Sequence, residues 1–210
     1  MNISLNHLIN KFLIFVSLVY TNSIHSSDSY EFNLYNNYGI VGTIHTPSAR
    51  TFEEGVHGVT LYKGTPNQTV TLSASPFDWL EASFFYTNIQ DRPYCYDFTS
   101  EFCLQDFKDK GFNVKARLKE QGVFPAIAIG LNDFAGTGLY SSEYIVGSYG
   151  INRTDFHFGI GFGLLDGSDL RFKNPFGYIS DKFYDRPTGF AAKGGSFQPS
   201  RYFSGDTASP

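Results

Sequence analysis

The chain has 210 residues, enough for one ordinary domain, and a formal net charge of -4, which argues against a nucleic-acid binder because phosphates demand a basic face. Charged residues are 17% and aromatics 18%, with 22 Phe, 14 Tyr and 21 Gly, a balance that disfavours both a helical bundle and disorder. The mean hydropathy of -0.21 argues against a polytopic helical membrane protein, since no internal run approaches the ~20 apolar residues of a spanning helix. It leaves open a membrane barrel, whose strands are only half apolar.

Residues 1–26 read as a secretory signal. Lys11 supplies the positive charge, residues 12–20 (FLIFVSLVY) form an apolar run too short to span as a helix, and small and polar residues follow. No Cys follows the run, which argues against an N-terminal lipid anchor. Export also frames the two cysteines. Cys95 and Cys103 sit in a polar, aromatic segment, and in an oxidising compartment that spacing reads as a small disulfide loop. Two thiolates without partner His or Cys cannot complete a tetrahedral metal site, so no metal is expected.

From residue 38 onward the pattern is alternation. Residues 38–45 and 56–63 are the first candidate strands, and residues 68–75 set Val70, Leu72 and Ala74 against Thr69, Thr71 and Ser73. Residues 80–87 set Leu80, Ala82, Phe84 and Tyr86 against Glu81, Ser83, Phe85 and Thr87. In residues 112–119 (FNVKARLK) Phe112, Val114, Ala116 and Leu118 share one face and Asn113, Lys115, Arg117 and Lys119 the other. Residues 126–132 and 154–162 follow the same period of two, which is that of a strand with one apolar and one polar face, and residues 142–149 are less clean but strand-like. The fold class is therefore all-β, an antiparallel meander of about eight strands.

Two architectures fit: a soluble β-sandwich that binds glycan, or an outer-membrane β-barrel or an open N-terminal part of one. Connection lengths favour the barrel. Short turns near residues 76–78, 121–124 and 151–153 alternate with longer ones at 89–110, 134–141 and from 164 onward, as in barrels with short periplasmic turns and longer outer loops. On that reading Glu81, Lys115, Arg117, Asp155 and His157 face the lumen. Tyr86, Tyr144, Tyr149 and Phe162 near strand ends fit an interfacial aromatic girdle. One strand spoils the parity: counted back, residues 38–45 would run in the wrong direction. The expected organisation is a signal at 1–26, a barrel-like domain at 27–189, and a Gly/Ser/Pro-rich loop at 190–210 that does not look like a closing strand.

The segment DFAGTGLYSSE, from Asp133 to Glu143, joins two strands. Gly136 and Gly138 permit a tight reversal, and Asp133, Ser141 and Ser142 suit bonds to free backbone groups in the turn. Tyr140 and Tyr144 are candidates to stack on glycan rings. Asp133 with Glu143 is a weak acid/base pair, because sequence gives no separation between them. Ser141 or Ser142 with His157 and Asp155 lacks the nucleophile-elbow pattern. No catalytic residue and no cofactor is therefore expected.

Five stretches carry a family resemblance: residues 42–50 (GTIHTPSAR) with Gly55, 76–87 (PFDWLEASFFYT), 108–118 (KDKGFNVKARL), 125–144 (PAIAIGLNDFAGTGLYSSEY) and 159–163 (GIGFG). In these the chain resembles the YjbH family of exopolysaccharide biosynthesis and export proteins, whose members are predicted outer-membrane barrels and typically several times longer. The resemblance implies a role in making or secreting an extracellular polysaccharide at the outer membrane. Its implied partners are the lipid bilayer, the polysaccharide and other envelope export proteins. It brings no catalytic residues. The final residues, SGDTASP, do not look like a closing strand, and ending at Pro210 suggests the front part of a longer protein or a truncated product.

Overall fold

The computed structural model describes residues 33–94, 105–167, 169–187, 197 and 199–210. The signal expected at 1–26, Cys95 and Cys103 lie outside the described residues. In chain order the strands are β1 (Gly42–Thr43), β2 (Thr46–Pro47), β3 (His57–Lys63), β4 (Asn67–Phe77), β5 (Leu80–Tyr94), β6 (Gln105–Lys119), β7 (Ala126–Phe134), β8 (Ser142–Ile151), β9 (Thr154–Gly163), β10 (Phe172–Lys173) and β11 (Thr207–Ala208). Strands β3 to β9 form one seven-stranded sheet in sequence order, and every neighbouring pair is antiparallel. The meander follows from turns too short for a crossover, such as residues 78–79 and 152–153.

The two faces of this sheet are inverted relative to a soluble protein. Directly paired positions share a face, so Leu72, Phe84 and Phe112 form one row and Ser73, Ser83 and Asn113 the adjacent row on the other side. The apolar row faces outward: Leu61 is 79% exposed, Leu72 53% and Phe158 57%. The polar row faces inward, and Ser83, Asn113, Glu81 and Lys115 are buried. Burying such groups is costly unless each finds a partner. Register shifts at Ala74/Phe77, Ile89/Pro93, Phe112/Val114 and Arg117/Lys119 bend the strands, as bulges do.

Residues 34–52 cover the inner face. This segment includes the β1–β2 pair and lies in the concavity, where Ile40 and Ala49 cluster with Ala126, Ala128, Tyr144 and Val146. Small residues on β7 make the room: a Cβ on Gly130 would stand 2.2 Å from the Tyr144 ring. The stretch 38–45 is therefore not a spanning strand, which removes the parity conflict and leaves seven strands in the main sheet.

A second covering segment lies at the long-connection end of β8 and β9. Asn174 caps the 3-10 turn Pro175–Tyr178 by accepting from the Phe176 N–H at 2.9 Å, and its amide donates to the carbonyls of Phe183, Phe203 and Gly205. Phe176 and Phe203 pack on Phe162, and Ser209 pairs with Gly161 at the β9 edge. The C-terminal stretch read as loop thus contains β11, paired with β10.

The sheet does not close: β3 and β9 are its ends. It is an open antiparallel part of a barrel-like surface. Nor is it half of a sandwich, because the other sheets among the described residues are two-stranded and the apolar face stays exposed.

Candidate functional site

The centre of the concave face is a buried ion pair. Glu81 on β5 and Lys115 on β6 are directly opposite in register, and Lys115 Nζ lies 2.6 Å from Glu81 Oε2. Each also grips the inserted segment. Lys115 Nζ donates to the carbonyls of Val41 at 2.9 Å and Arg50 at 2.5 Å, so all three ammonium protons have acceptors. Glu81 accepts from the Val41 N–H at 3.1 Å and the Phe52 N–H at 3.2 Å. Around this pair, Ser73 donates to the Gly39 carbonyl, Ser83 and Asn113 donate to the Tyr38 carbonyl, and the Ala49 N–H donates to Ser148 Oγ. The inner polar residues thus satisfy backbone groups of a strap whose own sheet pairing is limited to the short β1–β2 hairpin and the Tyr35–Val41 bridge.

At the short-turn end Arg50 makes a two-pronged contact with Asp155, 2.9 Å on each arm, and also donates to Gln121. His157 Nδ1 is 2.8 Å from Ser148 Oγ, while His157 Nε2 is 4.0 Å from Asp155. These three do not act as a nucleophilic triad, because Ser148 is fully buried against the strap and Asp155 is occupied by Arg50. Arg117 is also on β6, half-buried, paired with Glu120 at 2.9 Å.

The strap separates two cavities. One, of about 740 Å³, opens at the short-turn end beside Arg50, Arg153, Asp155 and His157. The other, of about 200 Å³, lies at the long-connection end among Tyr38, Tyr62, Phe85 and Tyr140. Tyr140 donates its hydroxyl to Asn67 Oδ1 at 2.8 Å and meets Phe85 edge-on. Burial pushes the Tyr38 and Tyr140 hydroxyls above their ordinary range, so both rings stay neutral phenols.

The residues singled out from sequence divide as follows. Glu81, Lys115, Arg117, Asp155 and His157 all belong to the concave side, and four of them meet in two groups. Tyr140 lines a cavity. Tyr144 does not: it is 2% exposed, its ring pressed against Gly130 under the strap, and it offers no face to a sugar. For the girdle, Tyr86 is exposed on the outer face, but Tyr144 points inward and Phe162 is buried under Phe176 and Phe203. Asp133 accepts from the Tyr140 N–H, the turn role expected for it. Glu143 is buried and saturated by Arg186, at 2.7 and 2.9 Å, and by the Phe203 N–H. It anchors the C-terminal segment and has no free oxygen for acid/base work.

Sequence reasoning missed Arg50, Tyr38 and Arg186. The signal for Tyr38 was the strand of wrong parity, which marked residues 38–45 as something other than a wall of the sheet; Arg50 lies beyond it, at the end of the 42–50 stretch that carries the family resemblance.

An antiparallel meander with apolar residues outward, polar residues inward and a strap in its concavity belongs to the barrel-like class of β-proteins. The family model YjbH, described as exopolysaccharide biosynthesis protein YbjH, matches residues 34–209. The chain is also 34% identical over 173 residues to the "Uncharacterized lipoprotein YjbH" of Escherichia coli (strain K12), a match covering 81% of this chain and 24% of that protein. No solved structure matches. The chain belongs to the YjbH family of exopolysaccharide biosynthesis proteins, and it spans about a quarter of the length of the curated relative it matches.

Proposed function

We propose that this chain is part of a non-catalytic outer-membrane β-barrel that takes part in exopolysaccharide biosynthesis or secretion. The observation that carries the reading is the inverted sidedness of the sheet. An apolar band across the middle of the outer face is a liability in water and a requirement in lipid. Strands of 9 to 11 residues in β4, β7, β8 and β9 also match the ~9–11 residues a tilted spanning strand needs. Glu81, Lys115, Asp155 and His157 then line the lumen side, in contact with or near the strap. The bilayer and the polysaccharide are the direct partners, with other export proteins of the envelope beside them. The non-catalytic part of the reading rests on Glu143 being locked to Arg186, and on Ser148 being locked under the strap. The test is expression of the full-length protein, leader included, in a Gram-negative host. Recovery in the outer-membrane fraction with heat-modifiable gel migration supports the reading; a freely soluble periplasmic monomer contradicts it.

A further inference from the structure

The cavity at the long-connection end has a chemistry of its own. Its walls come from the strap (Tyr38, His45), from β3 to β6 (Tyr62, Asn67, Phe85, Asn113) and from the β7–β8 connection (Tyr140). None of its lining residues is Asp, Glu, Lys or Arg, whereas the cavity on the other side of the strap carries Arg50, Arg153 and Asp155. Aromatic rings alternate with amides and hydroxyls: Tyr140 bonds Asn67, and Thr69 and Thr87 share a hydrogen bond at 2.8 Å.

Such a lining suits a neutral ring compound with apolar C–H faces and a rim of hydroxyls. Rings supply flat apolar contact, while side-chain amides and hydroxyls both donate and accept. An anion would find no Lys or Arg on the wall, and a purely apolar ligand would leave the Asn67 amide N–H groups unpaired. At about 200 Å³ the space is smaller than a drug-sized pocket of ~300–1,000 Å³ and suits a single sugar residue.

We infer that this cavity is a binding site for one neutral pyranose unit of a polysaccharide, held between the Tyr140 and Tyr38 rings and hydrogen-bonded by the amide N–H groups of Asn67. The inference rests on the proposed role in exopolysaccharide export and gives that role a contact point. Because Tyr38 and His45 belong to the strap, the sugar touches the segment that fills the concavity.

The test uses the full-length protein in detergent, titrated with cellotriose, mannotriose and galactotriose, and with trigalacturonate as the anionic comparator. Saturation-transfer NMR reports the contacts. Saturable binding of at least one neutral trisaccharide is expected. Tyr140→Ala should weaken it about tenfold, equivalent to about 1.4 kcal/mol, while Tyr140→Phe retains most of it. Saturable binding that survives both Tyr140→Ala and Tyr62→Ala overturns the inference, as does preference for trigalacturonate or no binding by a folded protein. Membrane fractionation of the same preparations separates the two readings. Failure to bind by a membrane-integrated protein sinks the sugar site alone. Tyr140-dependent binding by a freely soluble protein keeps the site and sinks the barrel.

Discussion

Lys115 shows how a single residue decides what this sheet is for. In the alternating segment 112–119 it reads as one of several polar residues facing the lumen, and in the structure it is fully buried there and meets Glu81 and two strap carbonyls. The period of two identified its face correctly, but periodicity is silent on whether a face meets water or chain. Removing one partner of a buried pair leaves an uncompensated charge and costs about 3–5 kcal/mol. Lys115→Ala should therefore lower stability to urea in detergent by about that amount, and limited proteolysis should then cut within residues 36–52. Tyr144 is the converse case. Its place in a conspicuous motif implied a sugar contact, while a glycine one strand away decided its position. Gly130→Ala forces the Tyr144 ring to move and should cost about 1–3 kcal/mol in the same urea assay.

Among the elements, β4 to β7 and β9 were legible because their alternation is nearly free of error, β8 was legible as a less regular strand, and the structure mainly lengthens them. β5 and β6 each run to 15 residues, well past the expected strands at 80–87 and 112–119. The register shift at Ile89/Pro93 interrupts the period of β5 around Asp91, and residues 105–110 of β6 (QDFKDK) are polar at five of six positions, so sequence read both stretches as loop. The strap was not legible as such: its residues pair with side chains from several strands, a pattern with no local period. The outer face makes a prediction specific to strands in lipid. Leu72 and Phe158 sit near the middles of β4 and β9 and are exposed. Leu72→Arg or Phe158→Arg should each cost about 2–4 kcal/mol for folding into vesicles, the cost of a cation near the bilayer midplane. In a soluble sheet the same exposed substitutions would fall within about 0.5 kcal/mol of neutral.

For the whole molecule, the sheet, the strap and the C-terminal segment form one arrangement with two unlike ends. The short-turn end holds the charged cavity, and the long-connection end holds the neutral aromatic one. Glu143 and Arg186 fasten the C-terminal segment at the second end. Glu143→Gln should loosen it, seen as faster amide exchange at residues 199–205 with little change at β4 and β5. The overall class and the family were readable from alternation and motif stretches. Closure was not, because alternation reports which face a strand presents and not what meets the edges β3 and β9. The claim on which the account stands is that the outer face meets hydrocarbon. The direct measurement is fluorescence of a Phe158→Trp variant in a Trp79→Phe background, reconstituted in vesicles with lipids brominated near the bilayer centre. The account predicts a blue-shifted emission strongly quenched by those lipids; a water-like emission that bromine leaves untouched would contradict it.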